Sequence, residues 1–355
     1  MGKKHIFLVL SILFIISSCQ NKGLGDNELP DFGNAENLLL VDSIEIEKLG
    51  ILNPQMIRFS DDFLVFHSSQ GLREFHFLDL RSMTVTEKIV TGQGPNEVSD
   101  YDLILGNDKK TVNYIDNQKW DVYSFNLDSI RANPAVKQQW IYQIPKKKGV
   151  AFMQIPIETG RYIFFTGVYT SGDKWIYCYD KQTQEFSSYA DFPDYEGARN
   201  LELMTKSMLF GLVTKATNGK RLVLTRWGTV DFFDIMPDGG LKVFREHHYF
   251  LPEIELYPNG TFRYKGEAIN WGFSFFISSD EKYIYLLYSD KIIYDNLDLN
   301  FEYLFVYDWS GNSVKQYSLE KPLYNITVNG DKLYGLSREE EPIVYIYSLE
   351  DLLRK

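Results

Sequence analysis

Few residues of this chain have types and spacing that could do chemistry. His247 and His248 offer two imidazoles, but adjacent residues on a strand point to opposite faces and cannot chelate one ion together. His67 and His76 fall on separate apolar strands, where a histidine satisfied by its neighbours is expected rather than a ligand. Asp295-Asn296-Leu297-Asp298-Leu299-Asn300 spaces its oxygens faintly like a calcium loop, yet it lacks the central glycine and the distal bidentate glutamate. Gly92-Gln93-Gly94-Pro95-Asn96-Glu97 carries the glycines of a phosphate loop. Such a loop needs a following helix whose amides point at the anion, and Pro95 with the strand after it forbids one. Gly92, Gly94, Pro95 and Glu97 are therefore expected to form a tight crossover, with the glycines at positive φ and Glu97 accepting backbone hydrogen bonds. No G-x-S-x-G elbow, H-E-x-x-H helix or cysteine–histidine pair occurs in a fitting context. The sequence thus names no catalytic residue, no metal-ligand set and no cofactor.

The clearest chemistry lies at the N-terminus. Lys3 and Lys4 precede an apolar run from Ile6 to Ile16 that closes on Ser17-Ser18-Cys19. That run falls short of the roughly 18 residues needed to cross a bilayer and reads as a secretory signal over residues 1–18. Ile16-Ser17-Ser18-Cys19 resembles a bacterial lipobox, in which the thiol is acylated and the bond before it cut; an ordinary signal peptide with Cys19 incidental is the alternative. Lipidation at Cys19 makes the membrane a partner through the N-terminal lipid. Residues 19–36, rich in Gly, Asn and Asp, read as a flexible tether. Gln20 in place of Asp after the cysteine resembles outer-membrane sorting in Gram-negative bacteria, with the periplasmic or surface face left open.

Once Cys19 carries lipid only Cys178 remains, so no internal disulfide can form and stability must come from a core. Aromatic residues at 15% supply large buried surfaces for one. The formal charge is −11, and loss of Lys3 and Lys4 takes it to −13, an acidic balance that argues against nucleic acid as a partner.

The elements that would position any site come from a repeat. Six polar turns, ending in Asp62, Lys110, Arg161, Lys220, Lys282 and Lys332, recur at intervals of 48, 51, 59, 62 and 50 residues. Each leads into an apolar strand such as Phe63-Leu64-Val65-Phe66, followed by an aromatic-rich strand such as Tyr303-Leu304-Phe305-Val306-Tyr307. Most of those second strands end in Asp79, Asn126, Asp180, Asp234, Asp308 or Ser348. This spacing is that of propeller blades. An inner strand before each hairpin and an outer one after it complete four strands per blade. The last hairpin has no outer strand of its own, only the helix-like Glu350–Lys355, whereas Leu40–Glu47 alternates polar and apolar and can pair into the sixth blade. The expected fold is all-β: one six-bladed β-propeller of four-stranded antiparallel blades over residues 37–355, its ring closed by the N-terminal strand. One helix is expected over 196–208, from the spacing of Leu201, Met204 and Met208.

Two motifs add a family resemblance. Gly92-x-Gly94-Pro95-x-Glu97 resembles the G-x-G-P-x-E signature of TolB-like six-bladed propeller lipoproteins. Ser279-Asp280-Glu281-Lys282 resembles the S-x-D-G-K strand turn of TolB-type repeats, with Glu281 in place of glycine. The resemblance implies the propeller and the envelope address, and it carries over no catalytic residue. The regular tryptophan–aspartate endings of WD40 repeats are missing from the mature chain.

The longest non-repeat segments, Gly92–Tyr101, Asp191–Ser207, Tyr249–Trp271 and Ser289–Glu302, belong to the loop classes that propeller connectivity gathers at one end of the central channel. They would bring Asp100, Tyr101, Tyr195, Arg199, Tyr257, Arg263, Tyr264 and Trp271 near one surface. Aromatic and arginine side chains stack on sugars and anchor peptides. The expected function is binding or scaffolding of an envelope protein, peptide or glycan by a monomer. Alternatives are loops that merely cap the channel, and a channel-metal hydrolase of the lactonase or esterase type built from scattered Glu, Asn and Asp.

Overall fold

The computed structural model describes residues 32, 34–68, 74–90, 92, 97–98, 101–106, 108–192, 201–211, 214–250, 254–257, 262–264, 270–292, 299–338 and 341–353. Two strands, β1 (Glu36–Asn37) and β2 (Leu39–Glu45), precede the ring. Blade one is β3 (Pro54–Ser60), β4 (Phe63–Ser68), β5 (Glu74–Asp79) and β6 (Thr84–Ile89). Blade two is β7 (Tyr101–Gly106), β8 (Thr111–Asp116), β9 (Asp121–Asn126) and β10 (Gln139–Gln143), and blade three is β11 (Val150–Thr159), β12 (Tyr162–Tyr169), β13 (Lys174–Asp180) and β14 (Glu185–Asp191). Blade four is β15 (Thr214–Thr217), β16 (Arg221–Arg226), β17 (Gly228–Ile235) and β18 (Leu241–Phe250). A hairpin of β19 (Ile254–Leu256) and β20 (Phe262–Tyr264) then intervenes. Blade five is β21 (Asn270–Ser279), β22 (Tyr283–Ile292), β23 (Phe301–Asp308) and β24 (Ser313–Leu323); blade six is β25 (Asn325–Asn329), β26 (Lys332–Ser337) and β27 (Ile343–Ser348).

Blade six takes its outer strand from the start of the chain. β2 pairs antiparallel with β27, from Leu39 opposite Ser348 to Glu45 opposite Ile343, with a bulge between Leu40 and Asp42. The sixth sheet is thereby stitched to the first, as the alternation in Leu40–Glu47 leads one to expect.

The middle strands read as continuous apolar runs because each is pressed from both sides. Phe63, Leu64, Val65 and Phe66 of β4 are all buried. Outer strands lack that second cover, and β10 is exposed at four of its five positions. The core is accordingly divided into six clusters, one between each pair of neighbouring blades. Phe75, Tyr101, Tyr114 and Phe125 fill the gap between blades one and two, and Tyr324, Tyr334, Leu64 and Phe66 fill the gap that closes the ring. Polar links join the inner strands: the Phe59 N–H donates to Thr327 Oγ1 at 2.9 Å and the Val328 N–H to Ser278 Oγ at 3.0 Å. β7 and β11 pair directly in parallel.

The recurring Asp and Asn have one physical role. In the turns between first and second strands, Asp108, Asn218 and Asp280 accept the N–H two residues on, at 2.8, 3.0 and 2.7 Å. After the third strands, Asp79, Asp180 and Asp308 do the same for Arg81, Gln182 and Ser310 at 2.9, 2.9 and 2.8 Å. Asn126 instead caps α1 (Leu127–Ala132), accepting the Ser129 N–H at 2.9 Å, a short helix that no apolar periodicity announced. Arg161 Nε donates to Asp180 at 2.7 Å and Arg221 Nε to Asp234 at 3.0 Å, so basic turn residues tie two turns of one blade together.

Two local expectations need adjusting. The helix expected over 196–208 is α2, Leu203–Gly211. The end of the stretch read as a tether is docked: the Phe32 ring lies 4.7 Å from that of Phe305 and 5.2 Å from that of Tyr307, and β1 pairs in parallel with β24. An aromatic ring that finds an apolar groove ends the polymer's freedom there, whatever the surrounding composition. The C-terminal helix α3 (Glu350–Leu353) buries Leu352 beside blade six.

Candidate binding site

The inner strands start at the loops between blades and end at the first turn of each hairpin, so the ring axis has two unlike mouths. At the turn end, the inner strands of blades one to three enclose a cavity of about 270 Å³ lined by Arg58, Ile104, Asp108, Thr111, Asn113, Glu158 and Gly160. The Arg58 guanidinium donates to the Ile104 carbonyl at 3.3 Å. Burial pulls its pKa below the usual arginine value, against the opposing field of Asp108. Glu158 accepts from Lys181 Nζ and, at 3.5 Å, from Asn113 Nδ2. Four oxygen-bearing side chains, those of Asp108, Thr111, Asn113 and Glu158, therefore converge at this mouth, as a channel-metal hydrolase needs. Arg58 and Lys181 offset the charges of Asp108 and Glu158, which weakens the attraction for a divalent cation.

At the loop end the picture rests on the hairpin of β19 and β20. Its Ile254 and Phe262 pack onto the cluster between blades three and four, to which Leu201 from the preceding insertion also belongs. Two insertions are thus seated on one apolar base. On the hairpin, Arg263 Nε donates to Glu255 Oε2 at 2.6 Å, and the guanidinium carbon lies 5.9 Å from the Tyr257 ring centroid. Tyr257 is 40% exposed and Arg263 is exposed as well, so an aromatic face and a paired arginine are presented together to solvent.

Of the eight residues expected on this surface, the structure brings Tyr257 and Arg263 together. Tyr264 is the last residue of β20 and Trp271 the second of β21. Tyr101 is 1% exposed, its ring 5.0 Å from Phe75 and 5.3 Å from Tyr114, and it belongs to the core between blades one and two rather than to a face. Asp100, Tyr195 and Arg199 lie outside the described residues, as do Cys19, Gly94, Pro95 and Asp295–Asp298 of the calcium-like stretch.

The crossover after blade one is closed by two backbone bonds: the Gly92 N–H donates to the Val98 carbonyl at 3.1 Å and the Val98 N–H to Val90 at 2.9 Å. Gly92 does not take the positive φ expected of it. The Glu97 carboxylate stands where a Cβ on Gly92 would lie.

The histidines divide unevenly. His247 bonds the Gly311 carbonyl at 2.8 Å while His248 bonds Asp231 at 2.6 Å, so the adjacent pair does point apart. Sequence reasoning missed that strand pairing would surround single histidines with carboxylates. Glu74, His76 and Glu87 on β5 and β6, and Asp231, Glu246 and His248 on β17 and β18, each bring three ligand atoms within 4.8 Å of one another. The signals in the sequence were Glu74-x-His76 and Glu246-x-His248, each two residues on one face of a strand, since Glu87 and Asp231 enter through cross-strand register.

Six antiparallel sheets in one ring, the last completed by β2, define a six-bladed β-propeller. The chain belongs to the TolB-like 6-blade propeller-like family, whose profile matches residues 33–331. No curated protein matches the chain. Among solved structures, the chain is similar to the β-propeller domain of Myceliophteria thermophila Cps50 (Swd1), at 11% identity over 88% of this chain and 99% of that one, TM-score 0.48. It is also similar to Chaetomium thermophilum Raptor, at 11% identity over 88% of this chain but 29% of that one, TM-score 0.48. A Bacteroides thetaiotaomicron protein of unknown function is 13% identical over 91% of this chain and 72% of that one, TM-score 0.47.

Proposed function

We propose that this chain is an envelope lipoprotein, acylated on Cys19, whose propeller binds a protein, peptide or glycan at the mouth where the insertion loops gather. The observation that carries the reading is the Glu255–Arg263–Tyr257 group, exposed on a hairpin that is itself anchored in the core through Ile254 and Phe262. Such a site holds its side chains in place before the ligand arrives, which lowers the ordering cost of binding. The address rests on the lipobox-like Ile16–Cys19; among the described residues no helix is long and apolar enough to cross a membrane. Phe32 is docked on blade five, so the thirteen Cα-to-Cα steps from residue 19 to residue 32 hold the ring within about 45 Å of the lipid at full extension.

The test is Tyr257→Ala with Arg263→Ala, measured against wild-type protein in pull-downs from detergent-solubilised envelopes and on glycan and peptide arrays. The reading expects specific binding by the wild type, lost in the double variant at unchanged thermal stability. Binding that survives the substitutions, or none on any of these supports, counts against it.

A further inference from the structure

We infer that Glu74, His76 and Glu87 form a site for a divalent transition-metal ion that clips the outer two strands of blade one. The three residues share one face of the sheet, since His76 lies directly opposite Glu87 in the ladder and Glu74 is two residues before His76. His76 is 3% exposed, yet among the described residues its Nδ1 has no hydrogen-bond partner, and its Nε2 lies 3.8 Å from Glu74 Oε1, too far to bond. A buried imidazole nitrogen left without a partner is costly. The other nitrogen, Nε2, faces the two carboxylates.

The three ligand atoms lie within 4.8 Å of one another. Tetrahedral bonds of about 2.0–2.1 Å place neighbouring ligand atoms roughly 3.3 Å apart, so the 3.8 Å between Nε2 and Oε1 is near what coordination requires. Glu87 is exposed, so its side chain has room to close the remaining distance. One imidazole and two carboxylates suit Zn²⁺, Co²⁺ or Ni²⁺, with a fourth position left to water.

Blade four supplies the contrast. Its Asp231, Glu246 and His248 are as close together, but His248 already bonds Asp231 at 2.6 Å and has no comparable need of an ion.

The experiment takes purified full-length protein stripped with a chelator and titrates it with Zn²⁺ by calorimetry and with Co²⁺ by visible absorption, alongside thermal melts. One equivalent should bind and raise the melting temperature. Glu87→Gln, at an exposed position that leaves folding intact, should weaken binding by about 100-fold or more, above the range for outer-shell partners. His76→Ala should do the same, and Glu246→Gln should change nothing. No stoichiometric binding by the wild type, or binding that Glu87→Gln leaves intact, overturns the assignment.

Discussion

Lys315 Nζ lies 2.6 Å from Asp351 Oδ2, joining the outer strand of blade five to the C-terminal helix α3. The same ammonium is 2.8 Å from Glu36 in β1, so the two ends of the folded chain are pinned to one side chain. Lys315 is 10% exposed on its side chain while both acids are largely open, which places the interaction between surface and buried pairs.

Lys315→Met should therefore destabilise the protein by about 1–2 kcal/mol in chemical denaturation. Burial opposes the charge on each partner, but their mutual bond prevails: the Asp351 carboxyl is held below its usual pKa and the Lys315 ammonium above its own. The Asp351 part of the stabilisation is present above the ordinary aspartate value of about 3.9 and lost as pH falls through the depressed one. The lysine part is full below about 10.4 and lost only as pH rises beyond it through the raised value. Between those limits the difference between wild type and Lys315→Met should be flat.

His248 provides a second titration. Its burial disfavours the imidazolium, but the bond to Asp231 outweighs that and raises the pKa above the ordinary histidine value. Its contribution to stability is thus complete below about 6.5 and fades as pH rises through the folded value. NMR titration should show the His248 midpoint falling in Asp231→Asn.

Gly92→Ala should drive the Glu97 carboxylate from its place, since the added methyl and that carboxylate compete for one space. Glu97 is exposed and its carboxylate can turn away, so Gly92→Ala should cost less than about 1 kcal/mol, and that cost should shrink further when Glu97→Ala is added, because the collision disappears with the second substitution. Additive losses would mean that the two residues do not act on one another.

Cys178 is buried in β13, and burial first, then the charge of Asp180, push its thiol up to about 12. Almost no thiolate is present there at neutral pH, so a disulfide reagent should leave Cys178 unmodified in the native protein and react with it promptly in denaturant. Fast labelling of folded protein would contradict the packing between blades three and four.

The ring was legible because its signals are local. Asx turns recur along the chain, at Asp79, Asp108, Asp180, Asn218, Asp280 and Asp308, and middle strands pressed by two neighbours have no polar face to interrupt the apolar run, so both appear in the linear order of residues. Closure by β2 was legible from a deficit, the absent outer strand after Ile343–Ser348. The candidate site was read less well because loop residues acquire a face only from tertiary contacts: Tyr101 begins a strand and points into the core, whereas Tyr257 and Arg263 meet through hairpin pairing. The Glu74–His76–Glu87 group depends on the register of β6 against β5, which composition does not fix.

The most direct test of the binding role is site-specific photo-crosslinking in intact cells, with a photoreactive phenylalanine analogue at position 257 and, for comparison, at Trp140, which is 54% exposed on the outer edge of blade two. A discrete adduct from position 257 and none from position 140 is the expected result. Adducts from the edge of blade two with none from the hairpin would contradict a binding face at the loop mouth.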